Sequence, residues 1–395
     1  MFDRVSYDAL VIGARCAGAA AAMLMARRGL RVLAIDRGDY GADTLSTHAL
    51  MRAGVLQLHR WGVLPQIVAC GTPPVRTAAF HYANEVTEVA VAASHGVEAL
   101  YAPRRSLLDS ALVDAARRAG AEVWHGHALA ELIRSSDGRV RGAVIRDRAG
   151  GHVEIAAGLV VGADGVGSAV ARLVHARVRA EGRRASAVVY GHWSGLAPTG
   201  YRWYYRKDVS AGVVPTNGER HCVFVAVPSA RFRDKLRGTA GYHQVLAEAA
   251  PDVAAAMAAA KIEGSLRAFA GRAGYLREPF GPGWALVGDA GYFKDPLTAH
   301  GMTDALRDAE LLARAAASGS DGAFVHYAAA RDDLSLAFFE ATNAIASFDW
   351  DLDAIKQHHQ ALNSAMKREV VHLAALDGER PEAEGGTNMH PAEVA

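Results

Sequence analysis

Gly13 and Gly18 bracket the hexapeptide Gly13-Ala14-Arg15-Cys16-Ala17-Gly18, and Asp36 follows 23 residues after the first of them. Glycines at this spacing, placed where a buried strand turns into a helix, bring a pyrophosphate against the unpaired N–H groups and partial positive charge of the helix start. An acid about 20 residues on, closing the next strand, accepts from ribose hydroxyls. Gly13, Ala17, Gly18 and Asp36, with Arg37 beside it, are therefore candidate contacts to a dinucleotide whose ribose carries no phosphate. Arg15 stands where this pattern usually has its middle glycine. Its guanidinium either meets a phosphate or reaches solvent from an ordinary tight turn.

Two later segments place acids on comparable turns. Leu159-Val160-Val161-Gly162-Ala163-Asp164-Gly165-Val166-Gly167-Ser168 is one, and Ala285-Leu286-Val287-Gly288-Asp289-Ala290-Gly291, continuing through Pro296 and Gly301, is the other. Taken singly, Asp164-Gly165 and Gly288-Asp289 are also plain turn dipeptides, and Arg52 and Arg105 are also plain solvated helix residues. Taken in series, the segments resemble the FAD-dependent aromatic hydroxylase family, the group A flavoprotein monooxygenases typified by para-hydroxybenzoate hydroxylase. Arg52-Ala53-Gly54-Val55-Leu56 and Arg104-Arg105-Ser106-Leu107-Leu108-Asp109 are similar to two further segments of that family. These landmarks extend from Ala9 to about Ala317 in the family's order.

The resemblance implies an α/β fold: a Rossmann-like FAD-binding domain with an inserted antiparallel β-sheet substrate domain and C-terminal helices. It implies FAD as cofactor, NADH or NADPH as a transient reductant, and O2 as co-substrate. Through a flavin hydroperoxide such an enzyme hydroxylates an aromatic or polycyclic small molecule. A separate flavin reductase and a homodimer are compatible with that reading. By the same resemblance Asp289 accepts from ribityl hydroxyls, and the helix opening after Pro296 aims the amides of Gly301, Met302 and Thr303 at the flavin pyrimidine carbonyl. Arg52 and Arg105 (or Arg104) meet the FAD phosphates or the chain joining them to the flavin. Asp164-Gly165 serves FAD and the reductant, and Gly288 belongs to the Asp289 turn. An arginine of the family pattern arrives one residue late, at Arg172, which is left outside the site.

Hydroxylation requires water to be kept away from the reacting flavin. His192, Trp193, Tyr201, Trp203, Tyr204 and Tyr205 form the candidate wall, which offers stacking faces to a flat substrate and equally suits a core or a subunit interface. His300, His48, Trp203 and Tyr205 are the catalytic candidates. His300 adjoins the flavin-facing loop and could polarise a substrate or move a proton, or simply be a solvated loop histidine. Three other readings compete. Asp295-Pro296 also occurs in flavin halogenases, but the first lysine of the chain is Lys207, so the halogenase lysine of the N-terminal half has no counterpart, and only Lys294 lies near the loop. Asp295-Pro296-Leu297-Thr298, with Tyr201-Arg202-Trp203-Tyr204, resembles geranylgeranyl-type alkene reductases. A catalytically silent flavin-binding module is the third.

These residues need elements to carry them. Ala9–Ile12, Ala17–Arg28 and Arg31–Asp36 read as strand, helix and strand, hence a parallel sheet. Val123 to Val161 reads as an antiparallel meander, and Ala187 to Val227, rich in Trp, Tyr, Val and Phe, as a second sheet. Met302–Ala317 and Leu334–Leu376 read as helices. The resulting organisation assigns 1–70, 101–175 and 271–330 to the FAD-binding domain, 71–100 and 176–270 to the substrate domain, 331–376 to C-terminal helices, and 377–395 to a frayed tail.

Composition bounds the partners. At about 150 residues per domain, 395 residues allow two or three domains, and 51% hydrophobic with 22% charged residues is an ordinary globular balance. A formal charge of +1 supplies no field to gather nucleic acid. Three dispersed cysteines, Cys16, Cys70 and Cys222, form no disulfide framework and no metal pair. With no export signal or membrane span legible, a cytoplasmic protein is expected.

Overall fold

A computed structural model describes residues 6–376. The tail expected over 377–395 lies outside the described residues. The first sheet grows from β1 (Ser6–Ile12), whose Ala, Leu, Val and Ile side chains are buried on both faces as parallel strands require. β2 (Val32–Asp36) pairs parallel to it on one side and β8 (His152–Gly162) on the other. Registers Ile12↔Ile35 and Ile12↔Gly162 make the three strands finish together. β17 (Trp284–Leu286) lies parallel to β8 with Leu286 opposite Gly162. Gly13, Asp36, Asp164 and Asp289 therefore all emerge at the carboxyl edge of one sheet, where open α/β folds bind their ligands.

The expected meander is partly corrected. Its first run divides at Gly126: β5 (Glu122–His125) pairs parallel to β2 at the sheet margin, and only β6 (Ala128–Arg134), β7 (Val140–Arg146) and β8 run antiparallel. The backbone bends there because the Gly126 and His127 amides donate to the carbonyls of Gly38 and Asp36.

The second sheet has the order β14-β10-β13-β12-β11-β3-β4. Its strands are β3 (Thr77–Tyr82), β4 (Glu85–Ala90), β10 (Ser186–Ser194), β11 (Tyr201–Arg206), β12 (Val209–Thr216), β13 (Arg220–Pro228) and β14 (Lys261–Phe269). Only the β11–β3 pair is parallel. A small third sheet joins β9 (Val178–Glu181), β15 (Tyr275–Arg277) and β18 (Tyr292–Phe293), and β16 (Phe280–Gly281) extends the first sheet.

The helices are α1 (Cys16–Arg27), α2 (Arg52–Arg60), α3 (Leu64–Ala69), α4 (Arg105–Arg118), α5 (Ala169–Leu173), α6 (Phe232–Lys235), α7 (Gly238–Ala249), α8 (Pro251–Ala256), α9 (Gly301–Ser318), α10 (Asp321–Ile345) and α11 (Leu352–Ala375). Alanine-rich α1 packs closely against α4 and α9 over the first sheet. The helix expected across Leu334–Leu376 is two helices. Phe348 adopts a left-handed φ of 56°, the Trp350 indole N–H donates to the Ile345 carbonyl at 2.9 Å, and Asp351 accepts from the Ala354 amide to start α11. Burial of Phe348 and Trp350 overrides helix continuity at this corner. No helix among the described residues is long and apolar enough to cross a membrane.

Candidate functional site

At the β1–α1 turn both motif glycines answer a steric demand. Gly13 holds φ +102°, and a Cβ there would sit 2.5 Å from the Ala163 carbonyl oxygen; a Cβ on Gly18 would overlap the Gly13 carbonyl. The Asp36 carboxylate accepts from the Ala14 amide at 3.0 Å and the Gly38 amide at 2.7 Å, so it shapes this turn before any ligand arrives. Each of its oxygens keeps acceptor capacity for a ribose hydroxyl. Arg15 leans across the turn, 3.6 Å from Asp109 of α4 and donating to the Ala42 carbonyl at 3.4 Å. Ala14, Arg15, Asp36, Tyr40, Asp109 and His125 line the cleft so formed. Arg37 is exposed and lines a separate surface cleft with Arg146 and Arg148.

The second turn, Gly288–Ala290, is a short 3-10 segment, and Ala17 and Ala305 crowd Gly288 from α1 and α9. The Asp289 carboxylate accepts no hydrogen bond from the described residues. Burial pushes its pKa up to about 6, with Lys294 and Arg105 pulling the other way. Among the described residues outside its own helix and chain neighbours, only Asp289 Oδ1 comes within 4 Å of a Cβ placed on Gly301, at 3.9 Å, which leaves open space between this carboxylate and the start of α9. Pro296 opens the 3-10 turn Pro296–Thr298, Ala299 turns left-handed at φ 51°, and Gly301, Met302 and Thr303 then present the first amides of α9. The Cys16 thiol lies 4.0 Å from the Met302 carbonyl oxygen, so the positive ends of α1 and α9 meet. Thr303 Oγ1 is buried without a partner.

The remaining candidates are differently placed. Arg105 is held by Asp109 at 3.0 Å, within electrostatic reach of Cys16 and Asp289. The Arg52 guanidinium donates to the Ala92 and Val97 carbonyls at 2.6 and 3.3 Å, tying down the 92–97 loop. The Asp164 carboxylate accepts from the Ser168 hydroxyl and the Ala169 amide at 2.5 and 2.6 Å, and so caps α5; Gly165 follows at φ +77°.

Neither site histidine is a solvated loop residue. His300 is buried, stacks on Phe338 with ring centroids 4.1 Å apart, and its Nε2 lies 2.7 Å from Glu369 of α11. Burial lowers its pKa against the opposing pull of Glu369, and Nε2 donates to the carboxylate. His48, in a left-handed backbone at φ 66°, brings its Nε2 to 2.8 Å from His192 Nε2 on β10. Burial holds both below the usual range, His192 at about 4, so the pair is neutral and shares one N–H. The His48 amide donates to Ser46 Oγ, which lies 3.9 Å from Met302 Sδ, so the loop that carries His48 touches the first turn of α9.

The expected aromatic wall is corrected by strand alternation. Tyr190, Tyr201, Trp203 and Tyr205 share the face that packs with Leu297, Phe338 and Trp350. Trp193 and Tyr204 point the opposite way, Trp193 stacking on Tyr242 of α7 and Tyr204 donating to Asp252 of α8 at 2.9 Å. Asp295 joins the aromatic sheet to the turn that precedes α9: it accepts from the Ser186 amide and hydroxyl, both at 2.6 Å, and from the Leu297 amide at 3.0 Å.

Sequence reasoning missed Asp295 as a connector, and it missed the buried network of Lys294, Asp304, Arg307, Asp308 and Glu369. Asp304 and Asp308 were visible as acids in the first turns of a helix; Glu369, far along the chain in an amphipathic helix, carried no signal. Lys294 is packed against the Tyr292 and Phe338 rings and ion-paired with Asp304, so it is not a free amine facing a substrate.

The residues fit FAD: the start of α1 for the pyrophosphate, a half-buried carboxylate with no donor among the described residues for a polyol, and open backbone at Gly301 beside it. Comparison with known proteins agrees. The chain is similar to digeranylgeranylglycerophospholipid reductase of Methanosarcina mazei, 28% identical over 78% of this chain and 75% of that protein. Among solved structures it is similar to the flavin-dependent brominase Bmp2, with TM-score 0.77 at 19% identity, covering 94% of this chain and 93% of that one. It is also similar to P. aeruginosa PqsL in complex with 2-aminobenzoylacetate, with TM-score 0.75 at 20% identity, covering 90% of this chain and 100% of that one. Both likenesses establish the fold. The FAD binding domain family matches residues 6–324, most of the chain, and the protein belongs to that family of flavin-dependent oxidoreductases.

Proposed function

We propose that this protein is a monooxygenase that uses NAD(P)H and O2 to hydroxylate an electron-rich aromatic small molecule. The observation that carries this reading is the sheet face of Tyr190, Tyr201, Trp203 and Tyr205, which meets Leu297 of the Pro296–Thr298 turn and is covered by α10 and α11, with His192 on the same strand as Tyr190. When bound and reduced, FAD supplies the electrons that activate O2. The chain's own residues then have three tasks. Aromatic side chains remove water and offer stacking surface to a flat ring. Amides of Gly301, Met302 and Thr303 stabilise negative charge at the flavin edge. The His48–His192 pair holds one proton between two Nε2 atoms without carrying charge.

Purified holoprotein tests the reading. NADH or NADPH oxidation and O2 uptake should rise on addition of an aromatic effector and yield one hydroxylated product per O2; no stimulation across a phenol and anthranilate panel defeats it. Trp203→Ala should weaken effector binding by roughly tenfold, the scale of one lost stacking contact, while FAD content is retained. Equilibrium titration of the holoprotein checks this, and unchanged affinity removes the sheet face from the pocket.

A second reading, FAD-dependent alkene reduction, is favoured by the likeness to the Methanosarcina mazei reductase. Saturation of an isoprenoid without O2 would select it.

A further inference from the structure

We propose that Glu369, carried by α11 outside the family-matched residues 6–324, is a positioning residue for the flavin, because this one carboxylate holds both turns that face the cofactor. The proposal rests on FAD binding alone and is independent of the reaction catalysed.

The first arm runs through His300. Glu369 Oε2 accepts from His300 Nε2 at 2.7 Å, and His300 is the residue on which α9 begins, directly after left-handed Ala299. The second arm runs through Arg307. Glu369 Oε1 accepts from Arg307 Nη1 at 3.1 Å, Arg307 donates to Asp308 Oδ1 at 2.8 and 3.1 Å, and Asp308 Oδ2 accepts from the Gly288 amide at 3.2 Å. Gly288 precedes Asp289. A single side chain from the C-terminal helix thus orients the α9 amides and the Asp289 carboxylate together.

Charge explains why the arrangement is rigid. Glu369, Asp304, Asp308, Arg307, Lys294 and His300 are all almost fully buried, and an ion removed from such a group leaves its partners uncompensated in low dielectric. His300, Asp304 and Glu369 also offer ligand atoms within 4.8 Å of one another. Arg307 bonds Asp304 and Glu369, and Lys294 pairs with Asp304, so these two side chains already supply the positive charge a metal would bring.

The test is FAD titration of deflavinated protein, followed by quenching of flavin fluorescence, with the midpoint potential of the bound flavin as a second readout. Glu369→Gln should raise the FAD dissociation constant by roughly tenfold or more, on the scale of one lost buried ionic contact, and move the potential positive because a buried negative charge is gone. His300→Gln should raise it likewise, and the double variant should fall short of the product of the two, since both act through one contact. Leu246→Ala, a core truncation on the far face of the second sheet, serves as a control of lowered stability and should leave both readouts unchanged. Wild-type affinity and potential in Glu369→Gln, or changes equal to those of Leu246→Ala, overturn the proposal. If Glu369→Gln fails to fold, Glu369→Asp retains the charge and shortens the reach; unchanged FAD affinity there overturns it as well.

Discussion

Asp289→Ala is expected to leave the protein largely free of FAD. The wild-type carboxylate has no donor among the described residues, and burial raises its pKa to about 6, because the surrounding protein supports its charge poorly. A polyol that donates hydroxyls to it removes that penalty, and hydrogen bonds to a charged acceptor contribute about 1.5–3 kcal/mol each. Loss of one or two such bonds lowers affinity by roughly 10- to 10,000-fold. Flavin absorbance per mole of purified variant reads the outcome, and normal flavin content would refute the ribityl assignment.

The same group predicts a pH dependence. In FAD-free protein the folded carboxyl keeps its proton up to about pH 6, whereas the unfolded chain releases it near the ordinary aspartate value of about 4. The folded state binds more protons across that window, so stability of the FAD-free protein falls as pH rises through it. FAD favours the ionised acceptor, so binding releases a proton and affinity weakens as pH drops below about 6, by at most about tenfold per pH unit. Burial pushes the Asp295 carboxyl up to about 6 as well, so the diagnostic quantity is the difference between wild type and Asp289→Asn. Identical slopes in the two proteins would sink this account.

Asp295→Ala should be the most destabilising single change in the site. Its buried carboxylate accepts from Ser186 twice and from Leu297 once, and truncation strands three donors in a dry interior. At about 1–3 kcal/mol per unsatisfied group, partly relieved by relaxation, the loss is on the order of 4 kcal/mol. Denaturant titration measures it. The variant should also lose the coupling between the aromatic sheet and the turn that precedes α9, so any effector that binds the wild type should bind this variant weakly even where FAD is retained. A stability change below about 1 kcal/mol would show that Asp295 is not the connector.

Local chemistry made part of this protein readable from its residues. Gly13, Gly18, Asp36 and Asp289 announce themselves because a turn that must admit a phosphate or present an acid tolerates few residue types, and those types stand close together in the chain. Strand and helix periods did the same for β1, α1, β2 and α9. The split of the supposed long C-terminal helix was not readable, because burial of Phe348 and Trp350, not local propensity, breaks it.

Everything that depends on which distant side chains meet came from folding. Strand alternation sorted the aromatic residues onto two faces, sending Trp193 and Tyr204 away from the site. His48 found His192, and Asp295 found Ser186, across 144 and 109 residues of chain. Arg52 and Asp164, whose types suit a cofactor, also hold a loop and cap a helix, which no neighbouring residue announces. Glu369 reached the start of α9 from an element with no motif at all. Short-range sterics write themselves into adjacent residues, whereas compensation of a buried charge requires only that some opposite or donating group arrive in space, from wherever packing delivers it.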